Sequence, residues 1–170
     1  MSSERTRAAV GSAVFFAVAP GVVAGLGPWL LTGWHVRSLP AYWIPVRVIG
    51  AGLIVLGAAV LIQSFARFVN DGLGTPAPIA PPRHLVVTGL YRYVRNPMYV
   101  ALFAAIAGQA LLLGQVVLVW YGLAVAVACV LFVRGYEERT LAAQFGPQYA
   151  EYKRNVPGWW PRRTPWPPSW

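Results

Sequence analysis

Acidic side chains are scarce in this chain: five Asp and Glu in 170 residues, against fourteen Lys and Arg, with 11% of residues charged. A soluble domain carries roughly a quarter charged residues to cover its surface. The shortage excludes an ordinary soluble domain and predicts that much of the surface faces lipid. Cysteine is nearly absent too. Cys129 stands alone inside an apolar run, which excludes an internal disulfide, leaves no thiolate set for a metal, and reads as a small packing residue. His84 has no ligand partner near it in sequence, so no metal is implied. The net charge of +9 does not point to nucleic acid, because that partner needs a soluble basic face. Here the arginines flank apolar runs, as cytoplasmic anchors do.

What is plentiful is uninterrupted apolar sequence. Ala8 to Leu31 carries no charge and is long enough to cross the roughly 30 Å hydrocarbon layer. It is longer than the core of a signal peptide, about 7–15 residues, and Pro20 is expected to kink it. Val48 to Ala66, between Arg47 and Arg67, makes a second span. Met98 to Val133 is uncharged for 36 residues, or about 54 Å of helix, too long for one crossing. Gly114-Gln115 supplies the break, giving a helical hairpin of Met98 to Leu113 and Val116 to Val133. The fold class is therefore all-α, a membrane bundle of four spans in a single domain over 1–170. With four spans, twelve of the fourteen cations share a side with both termini, and only Arg37 and Arg47 lie opposite. That split places the termini, the 67–97 loop and the 134–170 segment in the cytoplasm, here of a bacterial membrane.

The cytoplasmic segments hold the unusual residues. "YRYVRNPMYV" (Tyr91 to Val100) ends where a span begins. The residue before proline avoids the α region and proline favours the first helical position, so Asn96 reads as an N-cap and Pro97 as N1. Such a helix start is also an anion site: free amides of Met98 and Tyr99, with Arg95 beside them, suit a carboxylate or phosphate. Glu137 and Glu138 stand just past the fourth span, where the helix dipole disfavours negative charge. They either pair with Arg134 or Arg139 on their own helix or face inward to a cationic or hydroxyl-bearing ligand. The hairpin should bring them beside Asn96 and Tyr99. Arg67 ends the second span, either snorkelling to lipid phosphates or facing the same site. Asp71 and "GLGTPAP" after it are placed to fold over the site as a lid. Gln109 and Gln115 are expected to bond between helices. The chain breaks at Gly146-Pro147, resumes as a short amphipathic helix, and ends in a Pro/Trp/Arg tail. Its Trp159, Trp160, Trp166 and Trp170 suit headgroup contact.

In order, the set Gly-x-Tyr, Arg-x-Pro-x-Tyr, hairpin, Glu-Glu-x-x-Leu and Phe-Gly-x-x-Tyr-x-x-Tyr resembles the isoprenylcysteine carboxyl methyltransferase family, itself related to phospholipid N-methyltransferases. The likeness covers about Gly72 to Pro161. It implies an integral-membrane methyltransferase that takes S-adenosylmethionine without a Rossmann domain, in a pocket at the cytoplasmic ends of the last two spans and the C-terminal helix. The cofactor-contacting elements of the family fall on Arg95, Asn96, Pro97, Tyr99, Glu137 and Glu138, to which Met98 and Tyr91 are added by position. Arg67 and Glu138 are the candidate catalytic residues, Arg67 placing an anionic acceptor. Eukaryotic members usually carry His before the proline. Asn96 cannot exchange a proton near neutral pH, so a general base there is excluded. The implied partners are membrane lipids and a lipophilic acceptor, whose carboxylate, amine or hydroxyl stays open. The rival readings are an NADPH-dependent reductase of sterol-reductase type, with Arg154, Arg162 and Arg163 on the 2′-phosphate, and a non-enzymatic scaffold or transporter subunit.

Overall fold

Proline and glycine punctuate the apolar runs, and several helix ends fall on or beside them. A computed structural model describes residues 18–72 and 84–168, with only the backbone of 68–72. Among the described residues the chain is helical, without strands: α1 (Val18–Thr32), α2 (Ile44–Gly72), α3 (Pro97–Leu113), α4 (Val116–Phe132) and α5 (Glu138–Asn155). Pro97 opens α3 and Gly114 closes it at φ 69°, its amide donating to the Ala110 carbonyl. Gln115 is extended and α4 starts at once. The segment Ala41–Arg67 and the run from Val116 are long and apolar enough to cross a membrane.

The second helix outruns the expected span, Val48 to Ala66, at both ends. It runs from Ile44 to Gly72, so Arg47 and Arg67 lie within the helix rather than bounding it. Backbone propensity carries a helix past its apolar part, and charge marks where lipid contact stops rather than where winding stops. Of the first run, residues 8–17 lie outside the described residues, as do Arg5, Arg7, Arg83 and residues 73–78 of the expected lid.

Among the described residues α2 and α3 form the most extensively packed pair of helices. Small residues recur every seven positions on the facing surfaces: Gly50, Gly57 and Ser64 on α2, Ala101 and Gly108 on α3. A Cβ at Gly108 would stand 2.6 Å from the Gly50 carbonyl oxygen, and one at Gly57 2.8 Å from that of Ala101. The backbones touch, which lets two apolar helices gain dispersion contacts where lipid offers no hydrophobic driving force. A seven-residue period keeps that seam in register.

In α1 the irregularity is a π-helical stretch, Val22–Leu26, leading into the buried Pro28. Proline has no N–H, so neither the Val23 nor the Ala24 carbonyl receives a donor from position 28. Side chains from other helices replace it. Tyr121 of α4 donates its hydroxyl to the Val23 carbonyl at 2.8 Å, and Gln109 of α3 donates Nε2 to that of Ala24 at 2.7 Å. These side chains supply acceptors with the donors that position 28 denies them. At the same end of the bundle Gln115 donates to the His35 carbonyl, and Arg47 to that of Arg37.

At the other end α4 does not stop. A π turn, Val133–Glu137, joins it to α5. α5 departs from helical geometry at Gly146 (φ 49°, ψ −120°), where Gly-Pro predicts a break.

Candidate functional site

The site residues meet where the start of α3, the π turn and α5 converge. Residues 85–87 are in no helix or strand, Thr88 is extended, and a 3₁₀ turn, Gly89–Arg92, follows with Gly89 at φ 54°. Val86, Val87, Tyr91 and Val94 anchor this segment in the interior. Val87 joins Tyr149, Tyr152, Val156 and Trp166 in one buried cluster. The Tyr152 hydroxyl donates to the Tyr91 carbonyl at 2.7 Å, and the Tyr91 hydroxyl to that of Ser64 at 3.4 Å. Burial raises the Tyr91 phenol well above its ordinary pKa, with Tyr152 and Glu137 adding to the shift. Both tyrosines stay neutral hydrogen-bonding groups.

The two glutamates, adjacent in sequence, have separate partners, and neither partner is Arg134 or Arg139. Tyr99 donates its hydroxyl to Glu137 Oε1 at 2.5 Å. Burial lifts the Glu137 carboxyl above its ordinary pKa; the Tyr99 hydrogen bond opposes the shift and the neighbouring Glu138 adds to it. Glu138 is held by two cations: Arg95 Nη1 at 2.9 Å on Oε1 and Lys153 Nζ at 2.7 Å on Oε2. Burial pushes its carboxyl up, but hydrogen bonds from Lys153 and Arg95, and their charges, leave it below the usual value. Arg95 also donates Nη1 to the Tyr149 hydroxyl and Nε to the Val156 carbonyl. Nε and Nη1 of its guanidinium are therefore engaged inside the protein, where the sequence reading had Arg95 take an anion beside the helix amides.

Asn96 departs from expectation as well. It occupies the N-cap position, with φ −117° and ψ 55°, but its side chain caps nothing. Its carbonyl takes the Val100 amide, and Nδ2 is buried without a partner. Pro97 has no N–H, and the amides of Met98 and Tyr99 find no acceptor among the described residues. Three N–H-bearing groups thus remain unspent at the start of a helix, whose dipole favours an anion there.

Arg67 is exposed, its side chain lying over Gly89, 3.4 Å from where a Cβ there would stand. The tail does not lie free on the surface as its composition suggested. Trp166 is 7% exposed within the buried cluster, while Trp159 stacks on Phe103 at 6.1 Å and tilts against Tyr99 at 6.3 Å. Trp160 is 81% exposed. Trp170 lies outside the described residues. Sequence reasoning missed Lys153, Tyr149 and the main chain of 156–158 as parts of this cluster. The only signal was the Tyr149, Tyr152, Lys153 spacing, which puts all three within one turn of α5.

The phospholipid methyltransferase (PEMT) family profile matches residues 46–148, 103 of the chain's 170. No curated protein and no solved structure matches the chain.

Proposed function

The chain belongs to the phospholipid methyltransferase family, and from that premise we propose an integral-membrane, S-adenosylmethionine-dependent methyltransferase of isoprenylcysteine carboxyl methyltransferase type. In this reading α1 to α4 cross the membrane as four spans, with α3 and α4 as a hairpin. The site and both termini face the cytoplasm, and the acceptor is a lipophilic carboxylate or amine.

The observation that carries the reading is the pairing of opposite needs in one place. The Met98 and Tyr99 amides and Asn96 Nδ2 offer unspent donors for a carboxylate. On the same Tyr99, the hydroxyl holds the Glu137 carboxylate, which suits an ammonium or ribose hydroxyls. A zwitterionic amino-acid sulfonium asks for both. The cofactor supplies an electrophilic methyl group on sulfur. What the chain supplies is position and exclusion of water, since in-line displacement by a poised acceptor needs little acid–base machinery.

Of the two acids, Glu137 is the ligand-facing one in this account. Glu138, with both oxygens occupied, holds Arg95 and α5 in place. Arg67, whose guanidinium has no partner among the described residues, remains the group to steer an anionic acceptor. The reductase reading loses ground, because the family match is to methyltransferases and Arg162 spends Nη1 on the Asn155 carbonyl.

Calorimetry on the detergent-solubilised chain tests the proposal. S-adenosylmethionine and S-adenosylhomocysteine should bind in the micromolar range usual for enzyme ligands. Tighter binding of NADPH than of either would transfer the chain to the reductases. Mass spectrometry of co-purified lipid would name the acceptor class.

A further inference from the structure

Past Asn155 the chain turns back and runs along the segment that leads into α3. The Arg95 amide donates to the Pro157 carbonyl at 2.9 Å and the Asn96 amide to that of Gly158 at 3.2 Å. Farther on, the Arg162 amide donates to the Tyr93 carbonyl at 2.9 Å and the Trp166 amide to that of Arg92 at 3.0 Å. Arg92 returns the bond through Nε to the Trp166 carbonyl at 2.8 Å. Arg95 Nε adds Val156. Two indoles pin the path: Trp166 in the buried cluster and Trp159 against α3. All of this strap, residues 156–166, lies beyond the residues matched by the phospholipid methyltransferase profile, which end at 148.

The consequence concerns which donors are used up. The strap takes the amides of Arg95 and Asn96, the two that precede Pro97, and leaves those of Met98 and Tyr99 and the Asn96 side chain unspent. It does so at close quarters. A Cβ at residue 158 would stand 3.2 Å from Arg95 Nη2 and 3.5 Å from Asn96 Nδ2. A glycine lets the main chain pass there without pushing either side chain.

We propose that this strap is a positioning element of the cofactor site, and that Gly158, where it crosses Arg95 and Asn96, sets the direction in which the Asn96 amide and the first amides of α3 point. The proposal rests on the methyltransferase reading and adds an element outside residues 46–148, which the family profile matches. Gly158 and Trp166 touch no ligand in this account; they act through Asn96 and Arg95.

The test is S-adenosylhomocysteine titrated into the full detergent-solubilised chain, with thermal unfolding recorded on the same samples. Gly158→Ala removes no contact and adds one methyl group. It should weaken binding about tenfold, near 1.4 kcal/mol, and Gly158→Val more, with the unfolding midpoint of the Ala variant close to that of the parent. Trp166→Ala should weaken binding and Trp166→Phe should largely restore it, while Trp160→Ala on the exposed side of the strap should bind like the parent. A Gly158→Ala variant with parental affinity overturns the proposal, as does one that loses affinity only in proportion to lost folded protein. If the parent itself binds no S-adenosylhomocysteine, the methyltransferase reading falls first and takes the positioning role with it.

Discussion

Tyr99 and Glu137, on different helices and 38 positions apart, share a hydrogen bond of 2.5 Å. An O–H donor to a carboxylate at this length is of the charge-assisted kind, roughly twice as strong as a neutral pair. Removing either partner therefore removes the same interaction. Tyr99→Phe and Glu137→Gln should each weaken S-adenosylhomocysteine binding, by about 1.5–3 kcal/mol. The double variant should lose much less than the sum of the two. Calorimetric affinities that add would show that the two groups act separately.

Acid should switch the same pair. Glu137 titrates above the ordinary carboxylate range because it is buried. As pH falls through that raised value the carboxylate takes a proton and can no longer hold a cation. Cofactor affinity should then decline at a pH where an exposed glutamate, near 4.3, is still ionised. Glu137→Gln should abolish that part of the profile. A profile unchanged by the substitution would assign the titration elsewhere.

Glu138 behaves in the opposite sense. Its folded-state pKa is lowered, against the burial effect, by Lys153 and Arg95. The stability it contributes is present above the unfolded carboxylate value and is lost as pH falls through the lowered one. Glu138→Gln should lower stability near neutral pH by about 1–3 kcal/mol. Because Arg95 keeps Tyr149 and Val156, the loss in cofactor affinity should be smaller than for Glu137→Gln. A larger loss at Glu138 would reverse the roles assigned to the two acids.

The lone thiol offers an independent check on the place of the site. Cys129 of α4 is partly buried and within electrostatic reach of Glu137 and Tyr99. As the chain has no other cysteine, a membrane-permeant maleimide reports on it alone. S-adenosylhomocysteine should slow the labelling several-fold. Equal rates with and without it would put the ligand away from this end of α4.

The Pro28 repair can be tested as a cycle. Gln109→Leu strips the Ala24 carbonyl of its donor, at a cost of about 0.6–1.7 kcal/mol in a membrane protein. Pro28→Ala returns an N–H to the helix, so Gln109→Leu should cost less in that background. An equal cost in both backgrounds would mean that Gln109 serves some other purpose.

What could be read from the sequence follows from how local each cause is. Gly114-Gln115 and Pro97 act through their own backbone angles, so the break between α3 and α4 and the start of α3 were legible to within a residue. The meeting of Tyr99 with Glu137 followed from topology. The division of labour between Glu137 and Glu138 did not, because it depends on Lys153 and Arg95 arriving from elsewhere in the fold. The tail misled for a related reason. Tryptophan and arginine suit a lipid surface, yet Trp166 finds a cluster assembled from three separate stretches of chain. The seven-residue spacing of Gly50, Gly57 and Ser64 was visible and carried the α2–α3 seam, but a period of small residues shows only once its partner helix is known.

The π turn at Val133–Glu137 has a consequence for chain length. A π turn is an α turn holding one residue more, so it absorbs an insertion without rotating what lies beyond it. Elsewhere between Val116 and Glu138, adding or deleting a residue would swing the far part of the helix by about 100°. That swing would take Glu138 away from Arg95. At Gly135, where a Cβ would meet nothing within 4 Å, the chain has one residue of slack. A deletion there leaves a plain α-helix with both of its ends still facing their partners.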